Sequence, residues 1–198
     1  NTGGMGAYSP APIVNKTLEK KIINRIVKPT LKALRAKQKP YTGFLYVGLM
    51  IVNNEPFLIE YNVRMGDPEC QVILPRLETD LVKILNATIS NNLNKIKIKW
   101  KKLKCMTIVL CSKGYPRKIK LNSIINIDKI KIMKNSFIFH AGTKFKGNKI
   151  VSCGGRVLNI TSTGKIYKKI RKNIFKIIKQ INWKDGFYRK DIGWRVIK

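Results

Sequence analysis

The sequence predicts a mixed α/β (α+β) protein built in two parts. Apolar residues at helical spacing alternate with short runs of β-branched and aromatic residues, and a lysine-rich segment, NKIKIKWKKLK, divides this pattern at 94–104. Such a segment is typical of a solvated edge or a linker. We therefore place the first part at residues 1–90 and the second at residues 97–198.

The first part begins with a loop, followed by a helix and a strand. Residues 1–12 are rich in glycine and proline and are predicted to form the loop. Apolar residues then recur at helical spacing from Lys16 to about Lys37, with a kink or break expected at Pro29. The run YTGFLYVGLMIV at 41–52 is aromatic and β-branched, which predicts a buried strand.

A hairpin and a second helix complete this part. NNEP predicts a turn, and FLIEYNV at 57–63 predicts the returning strand. RMGDPECQ predicts a loop leading into a helix in TDLVKILNATISNNL. Thr79 or Asp80 is the candidate cap of that helix.

Short strands dominate the second part. Candidate strands lie at 105–112, 136–142 and 156–164, ahead of a final helix in KIYKKIRKNIFKIIKQI. Isoleucines occupy one face of this helix and basic residues the other, so we expect it to pack on a sheet. A basic amphipathic helix on a membrane surface is the alternative. The isoleucines are Ile166, Ile170, Ile174, Ile177, Ile178 and Ile181.

The charge balance is strongly basic, with 41 Lys and Arg against 10 Asp and Glu and a net charge of +31. Lysine, isoleucine and asparagine are abundant together, as A+T-rich codons would produce, and aromatic residues are not interleaved with the basic ones as base stacking requires. We expect no specific nucleic-acid partner, and a basic nucleic-acid-binding module is the alternative. No apolar stretch approaches the length of a membrane span, so we expect a cytoplasmic protein without a membrane partner.

The cysteines show no familiar zinc-binding pattern. They form no CxxC pair, and the single His140 does not complete a ligand set with them. We expect reduced and mostly packed thiols. The four residues are Cys70, Cys105, Cys111 and Cys153.

The acidic residues concentrate in one segment, with six of the ten between positions 55 and 80. Within it, IEYNVRMGDPE places Glu60, Asn62 and Arg64 at alternate positions, so a strand would present all three on one face. The residues between them would then face a core: Ile59, Tyr61 and Val63.

That row suits metal-assisted phosphoryl chemistry. Mg²⁺ prefers hard oxygen ligands, and a carboxylate with an amide oxygen leaves room for phosphate oxygens in its shell. An arginine one step further can stabilise charge on a transferred phosphoryl group. A surface salt bridge between Glu60 and Arg64 is the alternative.

Several segments together resemble one known family, the phosphoribosylamine–glycine ligases, also called glycinamide ribonucleotide synthetases. The segments occur in order along the chain and extend from Asn1 to Arg195. They are NTGGMGAYSPAP, GFLYVGLMI, LIEYNVRMGDPECQ, FHAGT, GGRVLNIT and YRKDIGWR.

The resemblance implies an ATP-grasp fold, in which residues 1–90 are the carboxy-terminal portion of the ATP-grasp domain and residues 97–198 are a small mixed β/α lobe. It also implies ATP-dependent ligation of glycine to 5-phosphoribosylamine, by way of glycyl phosphate, in purine biosynthesis. The products would be glycinamide ribonucleotide, ADP and phosphate.

The resemblance also implies roles for individual residues. Glu60 and Asn62 match the family's Mg²⁺ or Mn²⁺ ligands, and Arg64 matches the arginine that stabilises the acyl-phosphate transition state. Arg156 is assigned to substrate binding, with a structural turn as the alternative for it. The other candidate substrate-binding residues are Asn1, Thr2, Gly3, Gly4, Gly6, Asp67 and Glu69, and an ordinary tight connection is the alternative for the glycines.

Enzymes of this family are much longer than the present chain. We therefore expect residues 1–198 to be the carboxy-terminal half, inactive without an amino-terminal half that helps to hold ATP. The chain would then be either a fragment of a longer sequence or one chain of a natural split enzyme, and the sequence leaves both alternatives open. Another ATP-grasp ligase is a further alternative, which would share the ExNxR pattern but not the other segments.

Overall fold

A computed structural model describes residues 3–197 of the chain. Contacts divide them into two compact units that interleave in the sequence. The first unit contains 3–10, 67–77 and 101–197, and the second contains 11–66 and 78–100. These spatial units differ from the two consecutive domains that the sequence predicted. The domain bounds 1–90 and 97–198 stay a prediction.

An antiparallel sheet of five strands forms the first unit. Its strands are β1 (Gly6–Ser9), β4 (Lys104–Ser112), β5 (Ser136–His140), β8 (Arg156–Gly164) and β9 (Gly186–Phe187). Their main order is β1-β4-β8-β5, and β9 pairs with the end of β4. The central strands β4 and β8 are buried along almost their whole length.

The final helix, α5 (Tyr167–Ile178), packs on this sheet against β8 and β4. Ile170, Ile174 and Ile177 are at most 1% exposed, so the apolar face is occupied by the sheet and is not available to a membrane. The predicted packing is confirmed. Ile166 is the exception, because it precedes the first turn of α5 and is 49% exposed.

The prediction of a loop over 1–12 is wrong for β1. This strand pairs with β4 in the register Gly6 to Ile108 and Ser9 to Cys105. Its glycine and neighbouring proline are local loop signals, but the hydrogen bonds offered by the edge of β4 override them. The structure also contains a hairpin that the sequence did not predict, in which β6 (Thr143–Lys146) pairs with β7 (Lys149–Ser152) as a separate two-stranded sheet.

The second unit begins with a helical stretch that widens instead of breaking. Asn15 caps α1 (Lys16–Ile22), and its side chain accepts from Leu18 N at 2.9 Å. A π-helical turn follows at Ile23–Val27 and leads into α2 (Lys28–Ala36). Pro29 closely follows this wider turn, and the backbone remains helical on both sides of it, so Pro29 neither breaks nor ends the stretch.

The predicted hairpin is confirmed, with β2 (Tyr46–Val52) and β3 (Glu55–Asn62). Its turn is the pair Asn53 and Asn54, with φ of 51° and 60°. Positive φ at both positions is the two-residue geometry that matches strand twist, and asparagine tolerates it. The strand β2 begins at Tyr46 and not at residue 41 as predicted.

The helices that follow the hairpin are short. Cys70–Ile73 form α3 in the first unit, and Leu81–Ile89 form α4 in the second. Asp80 is the cap of α4, since its carboxylate accepts from Lys83 N at 2.9 Å. Within residues 3–197, no helix has both the length and the apolar character needed to cross a bilayer.

Candidate functional site

The Glu60 and Asn62 side chains meet on one face of the hairpin near the end of β3. Asn62 Nδ2 donates to Glu60 Oε1 at 3.1 Å. In the register of the hairpin, Glu60 lies opposite Gly48 and Asn62 opposite Tyr46. A carboxylate and an amide are therefore presented together, as the sequence predicted.

The residues between them do not all face a core. Ile59 is 62% exposed and Val63 is 75% exposed, which contradicts the expectation that they point inward. Tyr61 is half-buried and its hydroxyl is hydrogen-bonded to Thr30 of α2. Strand alternation alone placed Ile59 with Tyr61, but the hairpin departs from regular pairing at this point.

Arg64 lies beyond the end of β3, in a bend. Its Nη1 donates to the backbone carbonyl of Met65 at 2.9 Å. Among the described residues, no ion pair joins Arg64 to Glu60, so the simple salt bridge offered as an alternative does not form.

The donor set at Glu60 and Asn62 fits a hard divalent cation. Glu60 is exposed and takes part in none of the ion pairs formed within 3–197, although the chain carries 41 basic residues. No group of three His, Cys, Asp or Glu side chains suited to a metal occurs in the same range. A cation held here would therefore need further oxygen ligands from elsewhere, which is the usual situation of Mg²⁺ bound with a nucleotide.

A second group of predicted residues assembles in the first unit around Arg156. Its Nη2 donates to Asp67 Oδ2 at 2.7 Å, and its Nη1 donates to the Asp67 carbonyl at 2.7 Å. The same Nη1 lies 3.5 Å from the carbonyl of Gly4. A Cβ on Gly4 would lie 2.3 Å from that nitrogen, so only glycine leaves room for the guanidinium.

Tyr115 belongs to this group, and sequence reasoning missed it. Its hydroxyl donates to the carbonyl of Gly3 at 3.3 Å. Its ring fills the space beside Gly155, where a Cβ would lie 2.5 Å from Tyr115 Cδ2. The only local signal was an aromatic residue in the loop sequence KGYPR, which is weak without the fold.

The remaining candidates divide into three cases. Gly6 lies in β1, and a Cβ there would lie 2.6 Å from Ile192 Cγ2, so the absence of a side chain at Gly6 serves packing. Glu69 precedes α3, and its carbonyl accepts from the amides of Val72 and Ile73, each at 3.0 Å. Asn1 and Thr2 lie outside the described residues.

Comparison with protein families places the two halves of the chain in one family. The model described as phosphoribosylglycinamide synthetase, ATP-grasp (A) domain, matches residues 1–70. The model described as phosphoribosylglycinamide synthetase, C domain, matches residues 105–195.

Individual relatives agree with these matches. The chain is 41% identical over 199 residues to a phosphoribosylamine–glycine ligase of Brucella melitensis, with all of this chain and 47% of the relative covered. It is 43% identical over 204 residues to a relative of Arabidopsis thaliana named as chloroplastic, with 100% of this chain and 38% of the relative covered. The chain thus spans about half, or less, of the length of these relatives.

A solved structure shares the fold. It is a phosphoribosylamine–glycine ligase from Thermotoga maritima, with a TM-score of 0.77, 30% identity, and coverage of 96% of this chain and 46% of that one. The α/β architecture with an ATP-grasp portion is therefore confirmed. The chain belongs to the phosphoribosylglycinamide synthetase family, also named phosphoribosylamine–glycine ligase.

Proposed function

We propose that the protein catalyses the ATP-dependent ligation of glycine to 5-phosphoribosylamine. In the first step, a carboxylate oxygen of glycine attacks the γ-phosphorus of ATP, forming glycyl phosphate and releasing ADP. In the second, the amine nitrogen attacks the carbonyl carbon and loses a proton, and phosphate leaves. The observation that carries this proposal is the Glu60–Asn62 pair, exposed on the hairpin and without an ion-pair partner within 3–197, in a chain of this family.

Glu60 and Asn62 would hold Mg²⁺ or Mn²⁺ through a carboxylate oxygen and the amide oxygen. When bound, the cation supplies positive charge to the phosphate oxygens during transfer. Asn62 donates its hydrogen bond to Glu60 through Nδ2, so its amide oxygen Oδ1 would be available as a ligand to the metal. Arg64 would stabilise charge on the acyl phosphate. Its guanidinium donates a hydrogen bond to the backbone carbonyl of Met65.

The residues around Arg156 would contact the small substrates. Arg156 orients Asp67 and contacts the carbonyl of Gly4, and Tyr115 contacts the carbonyl of Gly3. We retain Asn1, Thr2, Gly6 and Glu69 as candidate substrate-binding residues from the resemblance. Two loops that are distant in the sequence, those of Gly4 and Asp67, both contact the Arg156 guanidinium, which supports this group.

The partner that we propose is the remaining half of the enzyme, supplied by a longer chain or by a separate one. The relatives are about twice as long as the matched region. The hairpin face that carries Glu60 also exposes apolar side chains, with Met50 at 50%, Val52 at 48% and Phe57 at 57%. An exposed apolar face of this kind is typical of an interaction surface. We expect residues 1–198 alone to have no catalytic activity without the remaining half of the enzyme.

Substitution of the metal ligands tests this function in the full-length protein that contains this chain. We expect Glu60→Gln and Asn62→Ala to weaken Mn²⁺ binding by about 10- to 100-fold, and glycine-dependent ADP formation to fall with it. Glu55→Gln is the matched control on the same hairpin, because Glu55 already pairs with Lys21 and Arg25. If Glu60→Gln bound Mn²⁺ as the wild type does, the assignment of the metal site would be wrong.

The alternative of a nucleic-acid-binding module has one observation in its favour. The outer face of α5 borders a shallow cavity of about 410 Å³ whose polar lining consists of basic side chains. Binding that persists at physiological salt would support a nucleic-acid partner, whereas binding lost at modest salt would indicate charge alone. The basic side chains are Lys168, Arg171, Lys172, Lys176 and Lys179.

The cytoplasmic location stays a prediction. One of the relatives is named as chloroplastic, so the family does not fix a compartment.

A further inference from the structure

The β3 strand carries one extra residue immediately before Glu60. Leu49 lies opposite Leu58, but the next pair along the hairpin is Gly48 with Glu60, which leaves Ile59 without a partner. One residue of β2 is thus matched by two of β3, which defines a β-bulge. A bulge of one residue reverses the face on which all following side chains lie.

The bulge decides which face of the hairpin receives Glu60. Residues directly opposite each other in an antiparallel pair share a face, so Glu60 lies on the same face as Gly48. Met50, two residues after Gly48 in β2, and its partner Phe57 lie on that face as well. This is the exposed face. Without the bulge, Glu60 would lie with Leu58 on the opposite face, which also carries Tyr61 and its bond to Thr30 of α2.

Gly48 provides the space that Glu60 occupies. A Cβ built on Gly48 would lie 2.9 Å from Glu60 Cγ and 3.4 Å from the Glu60 carbonyl oxygen. Real Cβ atoms essentially never approach a heavy atom as closely as the first distance, so the Glu60 side chain would have to move. Gly48 is not among the described glycines with positive φ, so backbone conformation does not require glycine here. The requirement is steric, which accounts for a residue that otherwise weakens a strand interior.

We infer that Gly48 is a positioning residue for the metal site: together with the bulge at Ile59, it sets the Glu60 carboxylate beside the Asn62 amide. The inference rests on the proposed metal role of Glu60 and Asn62. Displacing Glu60 Cγ moves both carboxylate oxygens relative to Asn62, whose amide is hydrogen-bonded to one of them at 3.1 Å. An added methyl group at Gly48 therefore disturbs the arrangement of the two proposed metal ligands, Glu60 and Asn62, without removing either of them.

The test measures Mn²⁺ binding by electron paramagnetic resonance in the full-length protein, with a non-hydrolysable ATP analogue present. Gly48→Ala should weaken Mn²⁺ affinity by about tenfold or more while the protein still unfolds cooperatively. Gly164→Ala is the matched control, because Gly164 is another glycine in a strand. The Cβ added there would lie 3.2 Å from Ile170 Cγ1. That control should leave Mn²⁺ affinity unchanged. Wild-type affinity in folded Gly48→Ala would overturn the inference.

A double-mutant cycle with Glu60→Ala covers the case in which Gly48→Ala destabilises the fold. Alanine at position 60 has no Cγ, so the clash disappears, and Gly48→Ala should then shift the unfolding midpoint much less than it does with Glu60 present. An equal shift in both backgrounds would overturn the inference. The cycle also separates the two claims: unchanged Mn²⁺ binding in Glu60→Ala would refute the proposed metal site, while coupling between positions 48 and 60 in unfolding would still establish the steric relation.

Discussion

Arg156 binds Asp67 through two atoms of each residue, although 89 positions separate them in the sequence. Its two terminal nitrogens donate to a carboxylate oxygen and to the backbone carbonyl of Asp67, both at 2.7 Å. This contact fastens the GDPE loop to the start of β8, and the nearby carbonyl of Gly4 adds the glycine loop. One guanidinium thus holds the loops of Gly4 and Asp67 against the start of β8.

Arg156→Ala should therefore loosen these loops. We expect a loss of about 1 kcal/mol in the free energy of unfolding, because the ion pair is partly exposed, and a higher KM for 5-phosphoribosylamine in the full-length enzyme. Arg156→Lys should recover only part of either effect, since an ammonium cannot reproduce the forked geometry. Urea unfolding and steady-state kinetics measure the two effects. Arg117→Ala, an exposed arginine of the same unit, is the control, and equal behaviour of the alanine variants would contradict the prediction.

Arg64→Ala should slow the chemical steps without weakening the proposed metal site. Arg64 makes no ion pair with Glu60, so its removal leaves the Glu60–Asn62 bond in place. We expect kcat to fall by about 10²- to 10³-fold, with Mn²⁺ affinity unchanged. The exposed Arg35 of α2 provides the control substitution Arg35→Ala. A parallel loss of Mn²⁺ binding in Arg64→Ala would show that the arginine supports the hairpin and not the transition state.

The four cysteines should react with thiol reagents in a definite order. Burial raises the pKa of Cys105 and of Cys111 to about 12, so at pH 8 only about one part in ten thousand of either thiol is ionised. Burial, with the charge of Asp67, also raises the pKa of Cys70. Cys153 is exposed. Mass spectrometry of native protein treated with iodoacetamide should show Cys153 labelled first, and Cys105 or Cys111 labelled equally fast would contradict this structure.

Asp185 should make stability depend on acid pH. Hydrogen bonds from Lys120 and Ser123, each 2.9 Å long, lower the pKa of this carboxyl from its ordinary value of 3.8. A lowered folded-state pKa means that the stabilisation is fully present above pH 3.8 and is lost as the pH falls through the lower, folded-state value.

The unfolding midpoint of Asp185→Asn should thus lie below that of the wild type at neutral pH, and the two should converge as the pH falls below 3.8. Urea titrations from pH 7 down to pH 3 measure the difference. Asp128→Asn, at an exposed site of the same unit, should show no such trend. A gap between Asp185→Asn and wild type that stayed constant to the lowest pH would refute the lowered pKa.

Ile174→Ala should be among the most damaging changes in the core. Ile174 is fully buried where α5 packs on the sheet, and removing three carbons leaves a cavity. The expected loss is about 2–5 kcal/mol in the free energy of unfolding. Lys172→Ala on the exposed side of the same helix is the control, and it should change stability by no more than about 0.5 kcal/mol. Equal losses would mean that the helix does not pack as described.

Local pattern was sufficient where one periodicity ran unbroken. The isoleucines of α5 predicted a helix and the face it buries, and the apolar runs at 105–112 and 156–164 predicted the two central strands. The segment FLIEYNV predicted the hairpin partner and the pair Glu60 and Asn62. These are properties of neighbours in the chain, and their spacing is written in the sequence.

Tertiary structure decided what depends on distant partners. The strand β1 exists because the edge of β4 offers it hydrogen bonds, and Arg156 reaches Asp67 because β8 carries it there. The bulge at Ile59 is also invisible to strand alternation, since pairing with β2 alone reveals the extra residue. The residue types of the candidate site were therefore readable from the sequence. That Glu60 and Asn62 share a face followed from their alternate positions, but strand register decided which face of the hairpin carries them. The space that Gly48 leaves for Glu60 depends on a close approach between two strands, which no single segment encodes.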